Sequence, residues 1–98
     1  MVASNAQRRP LFPLGRIVAT PGAIAAMDRS GQQPTTFLAK HVTGDWGDVC
    51  ADDKKLNDQS VSEGSRILSA YKTTAGEKIW IISEADRSAT TLLLPDEY

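Results

Sequence analysis

The most apolar run of the chain, residues 78–83 (KIWIIS), has the two-residue period of a strand. Ile79 and Ile81 would point to one side, Trp80 and Ile82 to the other. Both sides are apolar, so the run predicts a central strand covered on both faces. Residues 66–73 predict a second strand, with Ile67, Ser69 and Tyr71 on one face and Leu68 and Ala70 on the other. Between them Thr74, Ala75, Gly76 and Glu77 supply a hairpin turn, with a glycine available for positive φ. Residues 89–94 predict a third strand, and Pro95 ends it because proline cannot donate to a ladder. These segments make a three-stranded antiparallel meander.

Upstream, the period lengthens to that of helices. Thr20 and Pro21 mark a helix start, with a capping hydroxyl followed by a proline whose missing N–H costs nothing there. Ala23, Ile24 and Met27 form its apolar stripe, and Gly31 is placed to end it. Gln33 and Pro34 open a second helix, in which Phe37, Leu38, His41 and Val42 share a face and Gly44 follows as a stop. Residues 30–32 join the two as a helical hairpin. Asp52 is placed to cap a third helix running to about Glu63, with Gly64 at its end. Leu56 and Val61 are its large apolar residues, and Asp52, Asp53, Lys54, Lys55 and Asp58 read as a solvated face. Pro10 and Pro13 forbid a regular helix at residues 10–14, so Leu11, Phe12 and Leu14 are expected to lie extended over the core. Residues 15–19 (GRIVA) read as a short strand or a turn. The predicted architecture is one α+β domain over residues 11–98, with two to three short helices packed on the meander and residues 1–10 as a tail.

Composition narrows the function classes. The chain has 98 residues, enough for one core, and a formal net charge of −1. A polyanion binder would carry a basic excess, so nucleic acid is not the favoured partner. No apolar run approaches the roughly 20 residues that span a bilayer, and no apolar stretch of a secretory signal follows Arg8 and Arg9. Cys50 is the only cysteine, which excludes an internal disulfide and fits a reducing, cytoplasmic setting. No activating partner for a catalytic thiol is indicated.

Three pieces carry a family resemblance: residues 14–23 (LGRIVATPGA), 41–48 (HVTGDWGD) and 84–98 (EADRSATTLLLPDEY). Together they resemble a family of small bacterial proteins carried by plasmids and other mobile elements. Its members are labelled plasmid-related or hypothetical, and sometimes type I restriction endonuclease subunit M. The resemblance extends over nearly the whole chain from about Leu11. It implies an accessory protein of a mobile element. It does not imply a methyltransferase subunit, which needs a much larger domain with a nucleotide-binding βα unit. The glycine-rich loop of such a unit is missing from this sequence.

Candidate chemistry is sparse. His41 is the lone histidine, and it sits on the apolar face of the second helix, so it reads as a core histidine or as a general base. Asp45 and Asp48 read as turn residues, and without a cysteine pair or alternating oxygen ligands they predict no metal site. Trp46, between two glycines, reads either as an anchor into the core or as an exposed interaction residue. Glu84, Asp86 and Arg87 lie in the connector after the central strand, where loops on a rigid sheet tend to carry sites.

Two readings follow. The first is a small non-enzymatic protein acting by protein–protein contact through Trp46, Asp45, Asp48, Asp86 and Arg87. It needs no cofactor. On the resemblance, its concrete form is counter-defence, as an anti-restriction or anti-CRISPR inhibitor. The alternative is a small ribonuclease or toxin of the barnase-like or RelE/ParE-like type. It would use His41, Glu84 and Arg87, with Lys78 and Thr90 beside them, converging on one phosphate. A homodimer, paired through an open sheet edge or the Trp46 loop, is a third form of partnership.

Overall fold

The computed structural model describes residues 9–98. The expected tail, residues 1–10, falls mostly outside the described residues. Strands and helices follow in the order β1 (Arg16–Ala19), α1 (Pro21–Ser30), α2 (Pro34–Val42), α3 (Ala51–Glu63), β2 (Ile67–Lys72), β3 (Lys78–Ser83) and β4 (Ala89–Leu93), with a 3-10 turn at Pro95–Glu97. The fold is α+β. The meander β2–β3–β4 forms as predicted, but the sheet has four strands in the order β1-β4-β3-β2 and is mixed. β1 lies parallel to β4, with Ile17 opposite Thr90 and Ala19 opposite Leu92. The segment read as a strand or a turn is therefore an edge strand, recruited by a partner far along the chain.

Local signals set the first two helices. The Thr20 hydroxyl accepts from the Ala23 N–H, Pro21 opens α1, and Gly31 closes it in the left-handed conformation at φ 69°. The N-terminus of α1 receives a second acceptor from the far end of the chain. Glu97 takes hydrogen bonds from the Thr20 hydroxyl (2.5 Å) and the Gly22 N–H (3.0 Å), so its carboxylate neutralises the helix dipole. α3 begins slightly earlier than predicted. Its cap is Cys50, which makes no side-chain capping bond.

The helices cover one face of the sheet. Ala23, Ala26, Met27, Phe37 and Leu38 pack on Tyr71, Ile79, Ile81 and Leu92. Phe12, Trp46 and Ile67 form a second cluster, against which Leu14 and Val61 pack. Phe12 and Leu14 thus meet the core as expected, whereas Leu11 is half exposed. α3 turns Asn57 and Ser60 inward rather than Leu56, which is 56% exposed. It meets the sheet by hydrogen bonds: the Asn57 side chain donates to the Leu68 carbonyl (2.7 Å) and accepts from the Leu68 N–H.

The opposite face of the sheet corrects the reading of β3 as covered on both sides. Leu68, Ala70, Trp80, Ile82 and Leu93 belong to neither core cluster. Ala70, Ile82 and Leu93 are buried all the same, whereas Leu68 and Trp80 are only partly so, and the face is covered in part. All three helices lie in one block between β1 and β2, while β2, β3 and β4 are joined by short hairpins. Hairpin connections carry no helix to a second face. No helix among the described residues is long and apolar enough to cross a membrane.

Candidate functional site

α2 places His41 on its buried side with Phe37 and Leu38, and the side chain has no exposed surface. Ser69, Ser83 and Thr90 occupy inward-facing positions on β2, β3 and β4, and all are fully buried. Together they make one chain of hydrogen bonds. Thr90 Oγ1 donates to the Leu14 carbonyl (2.7 Å), since a carbonyl can only accept. Its proton being used, Thr90 accepts from Ser83 Oγ (2.7 Å). Ser83, in turn, must accept from His41 Nε2 (2.9 Å). This fixes the neutral Nε2–H tautomer and leaves Nδ1 to accept from Ser69 Oγ (2.5 Å). Burial, aided by the charge of Arg87, lowers the His41 pKa to about 4. Both nitrogens are engaged and shielded from solvent. His41 is a satisfied core residue with no path to a substrate.

Arg87 is likewise committed to structure. Its backbone takes the left-handed conformation at φ 60° in the β3–β4 connector. There its guanidinium donates to the carbonyls of Ser65 (2.6 Å), Ser60 (2.7 Å) and Glu84 (3.0 Å). α3 has no basic residue in its last turn, so Arg87 supplies the cation at the negative end of that helix from another element. Its Cζ stands 5.3 Å from the centre of the Phe12 ring. That ring meets His41 edge-on at 5.4 Å. Arg87 and His41 thus both pack on Phe12, but their hydrogen bonds go to different groups. The Glu84 carboxylate lies 3.8 Å from Arg66, and Asp86 accepts from the Ser88 N–H (3.0 Å). Hydrogen bonds from Ser88 hold the Asp86 carboxyl below its usual range. Lys78 stands at the far end of β3, and Thr90 is inside the buried chain. The set His41, Glu84 and Arg87 does not converge on a common cavity.

Trp46 is an anchor. It is 3% exposed, its indole N–H donates to Asp58 (3.0 Å), and its ring packs against Phe12 and His41. It is removed from the exposed interaction set for that reason. The loop around it also closes the outer edge of β2. The Ala70 N–H donates to the Trp46 carbonyl (3.1 Å), and the Asp48 N–H donates to the Ala70 carbonyl (2.7 Å). With Asn57 on Leu68, the outward amide groups of β2 at both positions are satisfied. Asp45 turns the loop by accepting from the Gly47 N–H, and its carbonyl accepts from the Tyr71 hydroxyl. The carboxylates of Asp45 and Asp48 border a polar hollow of about 240 Å³ that also includes Lys40 and Lys72. No three metal-ligating side chains are grouped among the described residues.

The surface that sequence reasoning missed is the helix-free face of the sheet. Arg66, Leu68, Trp80, Ile82 and Tyr98 line a largely apolar groove of about 250 Å³. Trp80 and Tyr98 meet edge to face at 5.9 Å. Arg66 donates to the Tyr98 hydroxyl (2.8 Å) and lies over the same ring at 5.7 Å. The sequence signal for this surface was the hairpin spacing of β2, β3 and β4. It carries no helix over Trp80, and among the described residues the C-terminal Tyr98 is what packs against it.

Comparison of the chain with protein-family models, curated proteins and solved structures finds no match.

Proposed function

We propose that this chain is a non-enzymatic protein-binding module that grips its partner through the helix-free sheet face around Trp80. The observation that carries this reading is the grouping of Trp80, Tyr98 and Arg66 around one apolar groove. Trp, Tyr and Arg are the side chains that dominate interface energetics, because each presents a large rigid surface with a polar handle. β3 holds Trp80 in place before a partner arrives, and the Arg66–Tyr98 hydrogen bond ties the other two together, which lowers the ordering cost of binding. The engagement of His41 and Arg87 in packing supports a protein that binds rather than one that turns over a substrate.

The resemblance to mobile-element proteins supplies the setting. The partner is a host defence protein met in the cytoplasm, and the outcome is counter-defence. In a transfer assay, a plasmid expressing this chain should establish in a restricting or CRISPR-armed host more often than an empty plasmid. Trp80→Ala should abolish the advantage, while Asp48→Asn, outside the groove, should retain it. A fold check by circular dichroism accompanies both variants. Equal establishment with and without the chain across such hosts refutes counter-defence. An advantage that survives Trp80→Ala refutes the assigned face.

A further inference from the structure

The two edges of the sheet are treated differently. β2 is sealed by Asn57, Trp46 and Asp48, whereas β1 has nothing beside it among the described residues. The phase of β1 is set by two bonds to β4: the Arg16 N–H donates to Ser88 and the Thr20 N–H to Leu92. Even-numbered residues therefore face β4, and the N–H and C=O groups of Ile17 and Ala19 point outward. The edge is protected only by its shortness and by Arg16. It has no lysine, no internal proline and no bulge, and Ile17 and Val18 are 45% and 40% exposed.

We propose that β1 pairs antiparallel with β1 of a second copy of this chain, about a two-fold axis at Val18. The register follows from the residues. Centred on Val18, Ile17 of each copy exchanges both hydrogen bonds with Ala19 of the other, which makes four bonds in all. The Val18 side chains then face each other at the closest approach, and Arg16 meets Thr20 instead of a second arginine. Shifting the axis to Ala19 would set Ile17 against Pro21, which has no N–H. Shifting it to Ile17 would set Ala19 against Gly15. The chain bends away at Gly15, at φ 67°, where a Cβ would lie 2.4 Å from the Arg87 carbonyl. One register satisfies every outward group of the strand. The paired sheet has eight strands, and Val18 extends the helix-free face of one copy into that of the other.

A strip of four residues buries less than a standard interface, so the dimer is a weak one. Sedimentation velocity from about 10 µM to about 1 mM should show a mass rising from the monomer toward its double. Val18→Lys places two lysines in contact and should weaken association at least about tenfold. Ile17→Pro removes an N–H that the monomer does not use. It should block pairing while leaving the circular dichroism unchanged. Amide exchange of the unaltered protein gives a readout independent of variants. Protection at Ile17 and Ala19 should grow with concentration, while protection at Ala70 stays constant. A chain that remains monomeric with both amides exchanging freely overturns the proposal and leaves the edge to an extended segment of another protein. A dimer that survives both substitutions overturns the assigned strand.

Discussion

Acid should unfold this protein through one residue before any carboxylate contributes. His41 is the sole histidine, and folding holds it neutral, with a pKa of about 4 against 6.5 for the free side chain. Below pH 6.5 the unfolded chain takes up a proton that the folded chain refuses. Stability is therefore intact above pH 6.5, falls as the pH drops toward 4, and levels off below that. The separation of the two values is worth about 3 kcal/mol in total, of which about 2 kcal/mol is lost between pH 7 and pH 5. That is a large share of the roughly 5–15 kcal/mol that stabilises an ordinary domain. The carboxylates act at lower pH. Glu77, Glu97 and Asp86 are held below their usual range, chiefly by hydrogen bonds from Arg29, Thr20 and Ser88. Their contribution is present above the unfolded carboxylate range and is lost only as the pH falls through their folded values.

The assay is urea unfolding followed by tryptophan fluorescence, which reports Trp46 beside His41, repeated at half-unit steps of pH. His41→Gln can still donate to Ser83 and accept from Ser69, and it should be flat from pH 7 to pH 5. Nitrogen chemical shifts of the ring provide the second check and should show the Nε2–H tautomer at neutral pH. A stability that is constant over that window, or a ring titrating near 6.5 in the folded state, would refute the reasoning.

Two further outcomes test the surrounding scaffold. At Gly47 a Cβ would lie 2.0 Å from the Ala70 carbonyl at φ 75°, whereas at Gly64 nothing lies within 4 Å at φ 77°. Thermal or urea unfolding should show Gly64→Ala costing about 1 kcal/mol, the left-handed penalty alone, and Gly47→Ala about 3 kcal/mol or more, as the seal on β2 opens. Arg87→Ala removes three hydrogen bonds to carbonyls and should cost about 2 kcal/mol. Arg87→Lys should keep the charge that depresses the His41 pKa but recover little of the stability, because an ammonium lacks the planar fork.

What could be read ahead of the structure was local. The starts of α1 and α2 are written in Thr20-Pro21 and in Pro34, and the meander in alternation around one turn. β1 is four residues whose hydrogen-bond partner lies beyond three helices, and parallel pairing leaves no turn to announce it. The start of α3 was misplaced because Cys50 has no side-chain bond to signal it. The core role of His41 was legible from its place among Phe37, Leu38 and Val42. Its partners were not, since Ser69, Ser83 and Thr90 come from three strands that only the assembled sheet brings together. Arg87 looked like chemistry because a charged connector beside a strand can equally bind a phosphate or cap a distant helix. The carbonyls that decide the matter belong to α3.

The parallel closure of β1 on β4 also sets an order of events in time. α3, β2, β3 and β4 are consecutive and contact one another through short connections. Arg16 reaches Ala89 only after nearly the whole chain has been drawn into place. Loop-closure entropy makes such a contact the last to be rewarded. On that ground the hairpins and α3 should form first, and β1 should dock at the end. Until it does, the edge of β4 stands open beside Leu92 and Thr91. During synthesis β1 leaves the ribosome before β4 and must wait for its partner.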